Sequence, residues 1–190
     1  KIIFVGSVTD RKNPKIIIES LETIDGDVSL EIIGQTPNLK YLKELNNLIS
    51  SSKYSERITM TPFIEAEQLI SKYASANLFI LPSKSEGLGR VVIEAQATAC
   101  PVLVSSNTGM VDLIIENETG YIFENNNKND LSNKIQYIMN NYESALQTGL
   151  NSKNFIKENQ SVANFEFGYK KLIDLVLSLI HISEPTRLQD

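Results

Sequence analysis

Short apolar runs rich in β-branched residues alternate with amphipathic stretches along the first half of the chain. The runs are IIFVG (2–6), VSLEIIG (28–34), RITMT (57–61), NLFIL (77–81) and PVLVS (101–105). The stretches between them have helical periodicity. This alternation predicts five strands of one parallel sheet with helices on both faces. The expected fold class is therefore α/β, with a Rossmann-like doubly wound parallel sheet.

The segments between the strands also carry helix signals. Asn13 followed by Pro14 is a strong helix start, because asparagine is favoured at the N-cap and proline at the first helical position. Further helices are predicted at 39–50, near 65–74 and after Gly89, and a short one beyond Gly109. A strand is predicted at 121–123, and mostly helix from Asn129 onward. Apolar periodicity continues over 167–180.

In an open parallel sheet, ligands bind beyond the carboxyl ends of the strands, where loops lead into helix N-termini. The alternation of elements therefore indicates in advance which loops could form a site. They are the loops at 6–13, 34–38, 62–64, 82–89 and 105–109.

Composition narrows the class of protein. The chain has 190 residues and a net charge of -5, which argues against a general nucleic-acid binder because such a protein needs a basic face. Cys100 is the single cysteine, so an internal disulfide and a cysteine-rich metal site are excluded. No apolar run approaches the ~20 residues that span a bilayer. We expect a cytoplasmic protein.

The two ends of the sequence both predict a fragment of a longer protein. Lys1 opens directly on a strand-like run, with no preceding loop or leader. The last ten residues, HISEPTRLQD, have no helical pattern and contain the only histidine, His181. We expect residues 1–180 to form one domain and residues 181–190 to be a non-native or disordered tail.

A glycine-rich turn follows the predicted strand that ends at Leu81. Gly87 and Gly89 bracket this turn, and a helix is predicted to begin at about Gly89. Glycines let backbone N–H groups approach a ligand, and a helix N-terminus favours negative charge, so a phosphate could occupy the turn. A simple strand-to-helix connection is the alternative.

Glu94 lies in this helix among apolar residues, where a carboxylate is costly unless it has donors. Arg90 could supply them as an i, i+4 ion pair. Alternatively, the two carboxylate oxygens could accept hydrogen bonds from the vicinal hydroxyls of a ribose. Glu86, just before the turn, could complement the helix dipole or face a sugar whose phosphate the turn holds.

The sequence around these two acids resembles a known family. Glu86 and Glu94 form E-x7-E within PSKSEGLGRVVIEAQA, which resembles the signature of the retaining glycosyltransferases of family four, with the GT-B fold. FVGSVTDRKNP, TPFIEAEQLISKYASANLFILPS, PVLVSSNTGMVDLI and ENETGYIF resemble other segments of the same family in the same order. The resemblance implies the C-terminal, donor-binding half of such an enzyme, without its N-terminal acceptor domain.

The first loop carries part of the implied donor site. Lys12 matches the family lysine that contacts the donor diphosphate, and Gly6 matches the glycine that lets the chain approach it. Ser7 stands where the family has an arginine, and Arg11 is a candidate to compensate. A solvated loop lysine is the alternative interpretation of Lys12.

The signature segment carries the rest of the implied site. Glu94 matches the glutamate on the nucleotide ribose, and Glu86 matches the one near the transferred sugar, so Glu86 and Lys12 are the implied catalytic residues. The implied lining of the sugar and diphosphate consists of Gly87, Leu88 and Gly89. Phe63 is a candidate for the base pocket, with a core or rim phenylalanine as the alternative.

Three positions depart from the family pattern. Ala99 stands where a C-capping glycine is usual, Thr108 replaces the first glycine of a Gly-Gly turn, and Asp112 replaces a glutamate. We expect these departures to affect loop shape and sugar specificity.

The resemblance implies hexosyl transfer from a nucleoside diphosphate sugar to a hydroxyl acceptor, with retention, in polysaccharide or glycolipid synthesis. No cofactor or metal is expected, since the sequence offers no DxD-like pair on a suitable loop and no His or Cys cluster. The implied partners are the sugar donor and the missing N-terminal domain, which could dock at the inner face of the membrane.

Three other classes of function are alternatives to this one. A dinucleotide-dependent oxidoreductase would need G-x-G-x-x-G after the first strand, and GSVTDRKNP has one glycine. A sugar-nucleotide epimerase shares the fold but needs acid/base residues that the sequence does not reveal. A degenerate, non-catalytic nucleotide-sugar binding module stays open because of the departures at Ser7, Ala99 and Thr108.

Overall fold

The computed structural model describes residues 1–159, which form a six-stranded parallel sheet with helices on both faces. The strands are β1 (Ile2–Val5), β2 (Leu30–Ile33), β3 (Ile58–Thr61), β4 (Leu78–Leu81), β5 (Val102–Ser105) and β6 (Tyr121–Phe123). Their order across the sheet is β3-β2-β1-β4-β5-β6, and every neighbouring pair is parallel. This is the Rossmann-like doubly wound arrangement that the sequence predicts.

Six α-helices connect and follow the strands. They are α1 (Pro14–Leu21), α2 (Leu39–Ser51), α3 (Ala66–Ser75), α4 (Arg90–Ala97), α5 (Lys128–Asn140) and α6 (Tyr142–Asn159). Short 3-10 turns lie at Ser55–Arg57 and Val111–Leu113. None of the helices within residues 1–159 is both long enough and apolar enough to span a membrane.

Alternating residues of the strands form two separate cores, one on each face of the sheet. Phe4 of β1 packs in a cluster with Ile17 of α1 and Leu45 of α2. Its neighbour Ile3 belongs to the cluster on the opposite face, which includes Tyr73 of α3. Four strands are buried along their whole length, as expected when helices cover both faces.

The predicted elements agree closely with the observed ones. All six predicted strands are confirmed. The helix predicted at 39–50 ends one residue before α2 does, and the helix predicted near 65–74 begins and ends one residue before α3. The helix expected from Asn129 begins at Lys128. The apolar periodicity at 167–180, the tail at 181–190 and His181 lie outside the described residues.

The predicted helix start is confirmed, with Asn13 at the N-cap and Pro14 at the first helical position. Asn13 has a left-handed backbone (φ 51°), however, and its side chain makes no cap hydrogen bond. Its amide instead reaches Asn126 Oδ1 at 3.4 Å. Pro14 and the packing of α1 on the sheet therefore define this helix start.

The strand order places a switch point between β1 and β4. From β1 the chain winds outward through β2 and β3, then returns to β4 and continues outward on the other side. The loops after β1 and β4 therefore leave the same edge of the sheet in opposite directions and open a crevice between them.

Candidate functional site

The loops after β1 and β4 are joined directly at this crevice. The backbone N–H of Lys84 donates to the carbonyl oxygen of Arg11 at 2.9 Å, and Lys84 Nζ pairs with Asp10 Oδ1 at 2.7 Å. The Lys84 carbonyl oxygen accepts bonds from the side-chain amides of Asn107 and Asn125, both at 3.3 Å. Lys84 thus connects loops that follow four different strands.

Three donors converge on one oxygen of Glu86. Lys12 Nζ forms an ion pair with Glu86 Oε2, Arg11 Nη1 lies 3.1 Å from the same oxygen, and Ser83 Oγ lies 3.5 Å away. The Lys12 and Glu86 side chains are each only 12% exposed. Glu86 Oε1 has no hydrogen-bond partner within residues 1–159, so this oxygen is available to a ligand.

The charges around Glu86 keep its carboxylate ionised. Burial acts to raise the pKa of Glu86, but the hydrogen bond from Lys12 and the charges of Lys12 and Arg11 outweigh it, so the pKa lies below its ordinary value. We call Arg11, Lys12, Ser83 and Glu86 the charge cluster. It brings together Lys12 and Glu86, the two residues that the sequence suggests as catalytic.

The glycine turn lies next to the charge cluster. A Cβ atom on Gly109 would lie 2.2 Å from the Gly87 carbonyl oxygen, so only glycine permits this close approach of two loops. A Cβ on Gly87 would meet nothing within 4 Å, so the turn opens to a free space. The N–H groups of Gly87 and Leu88 donate to no acceptor in residues 1–159, and α4 begins immediately after them.

The first loop approaches this space through glycine backbone. Gly6 has φ +146°, and a Cβ placed there would lie 3.9 Å from Lys12 Cε. Gly34, after β2, packs so closely that its Cβ would lie 1.9 Å from the Gly6 carbonyl oxygen. Ser7 is exposed and makes no side-chain hydrogen bond within the described chain, so Arg11 is the residue of this loop that adds positive charge beside Lys12.

Glu94 is exposed, and within residues 1–159 it is bonded by a residue that the sequence did not indicate, while its contact with a ribose stays a prediction. Tyr73 Oη donates to Glu94 Oε2 at 3.1 Å. The ion pair with Arg90 does not form among residues 1–159, so that interpretation is wrong. The expectation that apolar neighbours bury Glu94 is also wrong, because the side chain leaves the outer face of α4 toward α3. Glu94 and Tyr73 line a groove of about 500 Å³ between these helices.

Two further candidates lie exposed at the same edge of the sheet. Phe63 follows β3 and is 64% exposed, which excludes a core role. Leu88, in the glycine turn, is 66% exposed. Gly89 is buried and a Cβ atom there would meet the Leu81 side chain, so glycine allows close packing, and its place in the lining of the donor site stays a prediction.

The sequence did not indicate several residues of the site. Ser83 is the fully buried member of the charge cluster, and Tyr73 has the periodicity of a core residue, so neither stood out in the sequence. The charge pair of Lys84 with Asp10 also required the fold, because these residues are far apart in the chain. The sequence indicated only that these residues lie in the expected loops and helices, and not that they contact the site.

No cluster of three or more His, Cys, Asp or Glu side chains suited to a metal ion occurs within residues 1–159. Independence from metal ions stays a prediction.

A doubly wound sheet with a glycine turn and clustered charges at its switch point is typical of domains that bind nucleotides or their derivatives. Comparison with known proteins defines the class more closely. The family described as "Glycosyl transferases group 1" matches residues 1–155. The chain therefore belongs to the group 1 glycosyltransferases.

Two relatives illustrate this membership. An uncharacterized glycosyltransferase of Methanocaldococcus jannaschii is 30% identical over 158 residues, 82% of this chain and 43% of that protein. The capsular polysaccharide biosynthesis glycosyltransferase CapM of Staphylococcus aureus is 31% identical over 144 residues, 72% of this chain and 36% of that protein. The chain thus spans less than half the length of either relative.

The fold agrees with that of solved GT-B glycosyltransferases. HepE of Anabaena, determined in complex with UDP and glucose, superposes with a TM-score of 0.82 over 89% of this chain and 47% of that protein. Its sequence identity is 18%, so this comparison supports the fold and not a particular substrate.

Proposed function

We propose that this chain is the donor-binding domain of a retaining, family-four glycosyltransferase, which transfers a hexosyl group from a nucleoside diphosphate sugar to a hydroxyl acceptor. The acceptor would lie in an N-terminal domain of the longer protein. The similarity to CapM, a glycosyltransferase of capsular polysaccharide biosynthesis, supports a place in polysaccharide or glycolipid synthesis.

The observation that carries this proposal is the contact between Lys12 and Glu86 beside the open glycine turn. These residues follow the two strands at the switch point, where doubly wound sheets bind their ligands. The free N–H groups of Gly87 and Leu88 and the start of α4 would face the phosphates of a donor.

The proposed contribution to the reaction is electrostatic. Negative charge grows on the diphosphate as it leaves the sugar, and fixed donors stabilise that charge where it develops. Lys12 and Arg11 would supply the diphosphate with positive charge, and the glycine turn would supply it with N–H groups. With these donors the proposed reaction needs no metal ion or cofactor. Glu86 Oε1 would accept a hydrogen bond from a hydroxyl of the transferred sugar.

Replacing Lys12 by alanine tests the diphosphate contact. We expect the affinity for UDP to fall about ten- to a hundredfold, the value of a charge-assisted hydrogen bond, while affinity for uridine stays unchanged. Isothermal titration calorimetry of the chain with both ligands measures this. Lys15→Ala is the matched control, because Lys15 is a lysine of the following helix whose ammonium group pairs with Glu19.

Loss of Lys12 also leaves Glu86 less well neutralised, and this charge could itself repel UDP. The double variant Lys12→Ala, Glu86→Gln removes that alternative cause, and we expect it to bind UDP about ten- to a hundredfold more weakly than the single variant Glu86→Gln. Equal losses of affinity for UDP and uridine in Lys12→Ala, or equal UDP affinities of the double variant and Glu86→Gln, would refute the proposed contact.

A further inference from the structure

Tyr73 lies across the groove between α3 and α4, opposite Glu94. Its hydroxyl donates to Glu94 Oε2 at 3.1 Å, and Glu94 has no other hydrogen-bond partner within residues 1–159. The Tyr73 ring is 1% exposed and packs edge-on against Phe79, with 5.7 Å between the ring centroids. A buried ring therefore presents a fixed hydroxyl to an exposed carboxylate.

This hydroxyl is a permanent donor. Burial, and next the negative charge of Glu94, raise the pKa of Tyr73 well above its ordinary value. The phenol therefore stays protonated at physiological pH and can hold the carboxylate in one orientation. An exposed glutamate without such a partner would sample several rotamers, and a ligand would have to select one of them.

We propose that Tyr73 is a positioning residue, which orients the Glu94 carboxylate to accept the ribose hydroxyls of the donor nucleotide. The inference rests on the proposed function, in which Glu94 contacts the ribose. It adds a residue that acts on the nucleotide only through Glu94.

The hydrogen-bonding capacity of the carboxylate fits this arrangement. Each carboxylate oxygen can accept about two hydrogen bonds. Tyr73 occupies one site on Oε2 and leaves Oε1 fully available. Two vicinal hydroxyls could therefore bind the same carboxylate while Tyr73 keeps its orientation.

The variant Tyr73→Phe tests the proposal, because it removes the hydroxyl and keeps the ring that packs on Phe79. The probes are UDP and 2′,3′-dideoxyuridine diphosphate, which lacks the hydroxyls that Glu94 would bind. We expect Tyr73→Phe to lower the affinity for UDP by about three- to tenfold and to leave the affinity for the dideoxy compound unchanged. Calorimetric titration measures both affinities.

A double-mutant cycle with Glu94→Gln tests whether Tyr73 acts through Glu94. We expect Glu94→Gln to lower the affinity for UDP by about tenfold, and the double variant to lose little more. Tyr121→Phe is the matched control, since its buried hydroxyl lies 3.3 Å from Thr148 Oγ1 in another part of the fold. Thermal melts of all variants check that they are folded.

The outcomes separate the two proposals. If Glu94→Gln weakens UDP binding and Tyr73→Phe does not, the inference about Tyr73 is refuted and the proposed function stands. Equal losses for both nucleotides in Tyr73→Phe, or additive losses in the double variant, would show a merely structural role and also refute it. Unchanged UDP affinity in Glu94→Gln would overturn both the ribose contact and the role of Tyr73.

Discussion

At the scale of single residues, the charge cluster pairs its cations with a carboxylate of the same chain. Glu86 Oε2 accepts hydrogen bonds from Lys12, Arg11 and Ser83. The two cations proposed to bind a diphosphate are therefore paired with an anion of the protein. A diphosphate would have to compete with this carboxylate or share the donors with it. Glu86 thus lowers the positive potential that an incoming nucleotide meets.

The variant Glu86→Gln should therefore bind UDP more tightly than the native chain. We expect a gain of about three- to tenfold, because the neutral amide no longer offsets the charges of Lys12 and Arg11. Titrations at several salt concentrations check this, and the gain should shrink as salt screens the charges. Glu19→Gln, which removes an acid paired with Lys15 on α1, is the control and should have no effect. Weaker binding by Glu86→Gln would contradict this view of the cluster.

Sequence patterns and the fold contributed different parts of this site. Loop positions follow from β-branched runs, so Lys12 and Glu86 could be assigned to the correct edge of the sheet before the fold was known. Their direct contact joins residues 74 apart in the chain, and no local pattern encodes it. The partner of Glu94 was missed for a related reason. Helical periodicity predicts that Tyr73 faces the core but cannot show which residue its hydroxyl contacts.

At the scale of elements, α4 is followed by an alanine whose backbone conformation is unfavourable for that residue type. The N–H of Ala99 bonds the Gln96 carbonyl, and the N–H of Cys100 bonds the Ala95 carbonyl, which together form a Schellman motif. Ala99 therefore has a left-handed backbone, with φ 63°. The family pattern that the sequence resembles has a C-capping glycine at this position. In this left-handed conformation the Cβ atom of alanine lies too close to the backbone, and glycine has no Cβ atom.

The variant Ala99→Gly should accordingly stabilise the chain. Relief of the left-handed alanine is worth about 1–2 kcal/mol, and the greater freedom of glycine in the unfolded chain offsets about 0.4–1 kcal/mol of it. We expect the free energy of unfolding to rise by about 0.5–1 kcal/mol, measured by urea denaturation. Ala97→Gly, within the last turn of α4, should lower it by a similar amount because its backbone is helical. Destabilisation by Ala99→Gly would contradict the motif.

At the scale of the whole molecule, the proposed function has this chain supply one side of a cleft. Its proposed donor contacts all lie at the carboxyl edge of the sheet, and the relatives are more than twice as long as the matched region. A hydroxyl acceptor would need groups on the other side of that edge. The fold class could be predicted from the sequence because every strand has its own apolar run, whereas no pattern in the sequence identifies the acceptor.

The chain alone should therefore bind UDP but transfer no sugar from UDP-glucose to an acceptor. Joined to the N-terminal region of its parent protein, it should transfer the sugar with retention, because both sides of the cleft are then present. Anomeric coupling constants in the NMR spectrum of the product report the stereochemistry. Efficient transfer by the 190-residue chain alone would contradict the division into two domains.

The switch point between β1 and β4 also bears on how the sheet resists unfolding. One half of the sheet, β3-β2-β1, contributes Lys12 to the proposed site, and the other half, β4-β5-β6, contributes Glu86. A nucleotide held by both loops would act as a staple across the middle of the sheet. At a hundred times its dissociation constant it would add about 2.7 kcal/mol to the free energy of unfolding. Amide hydrogens on both sides of the staple would then exchange more slowly together.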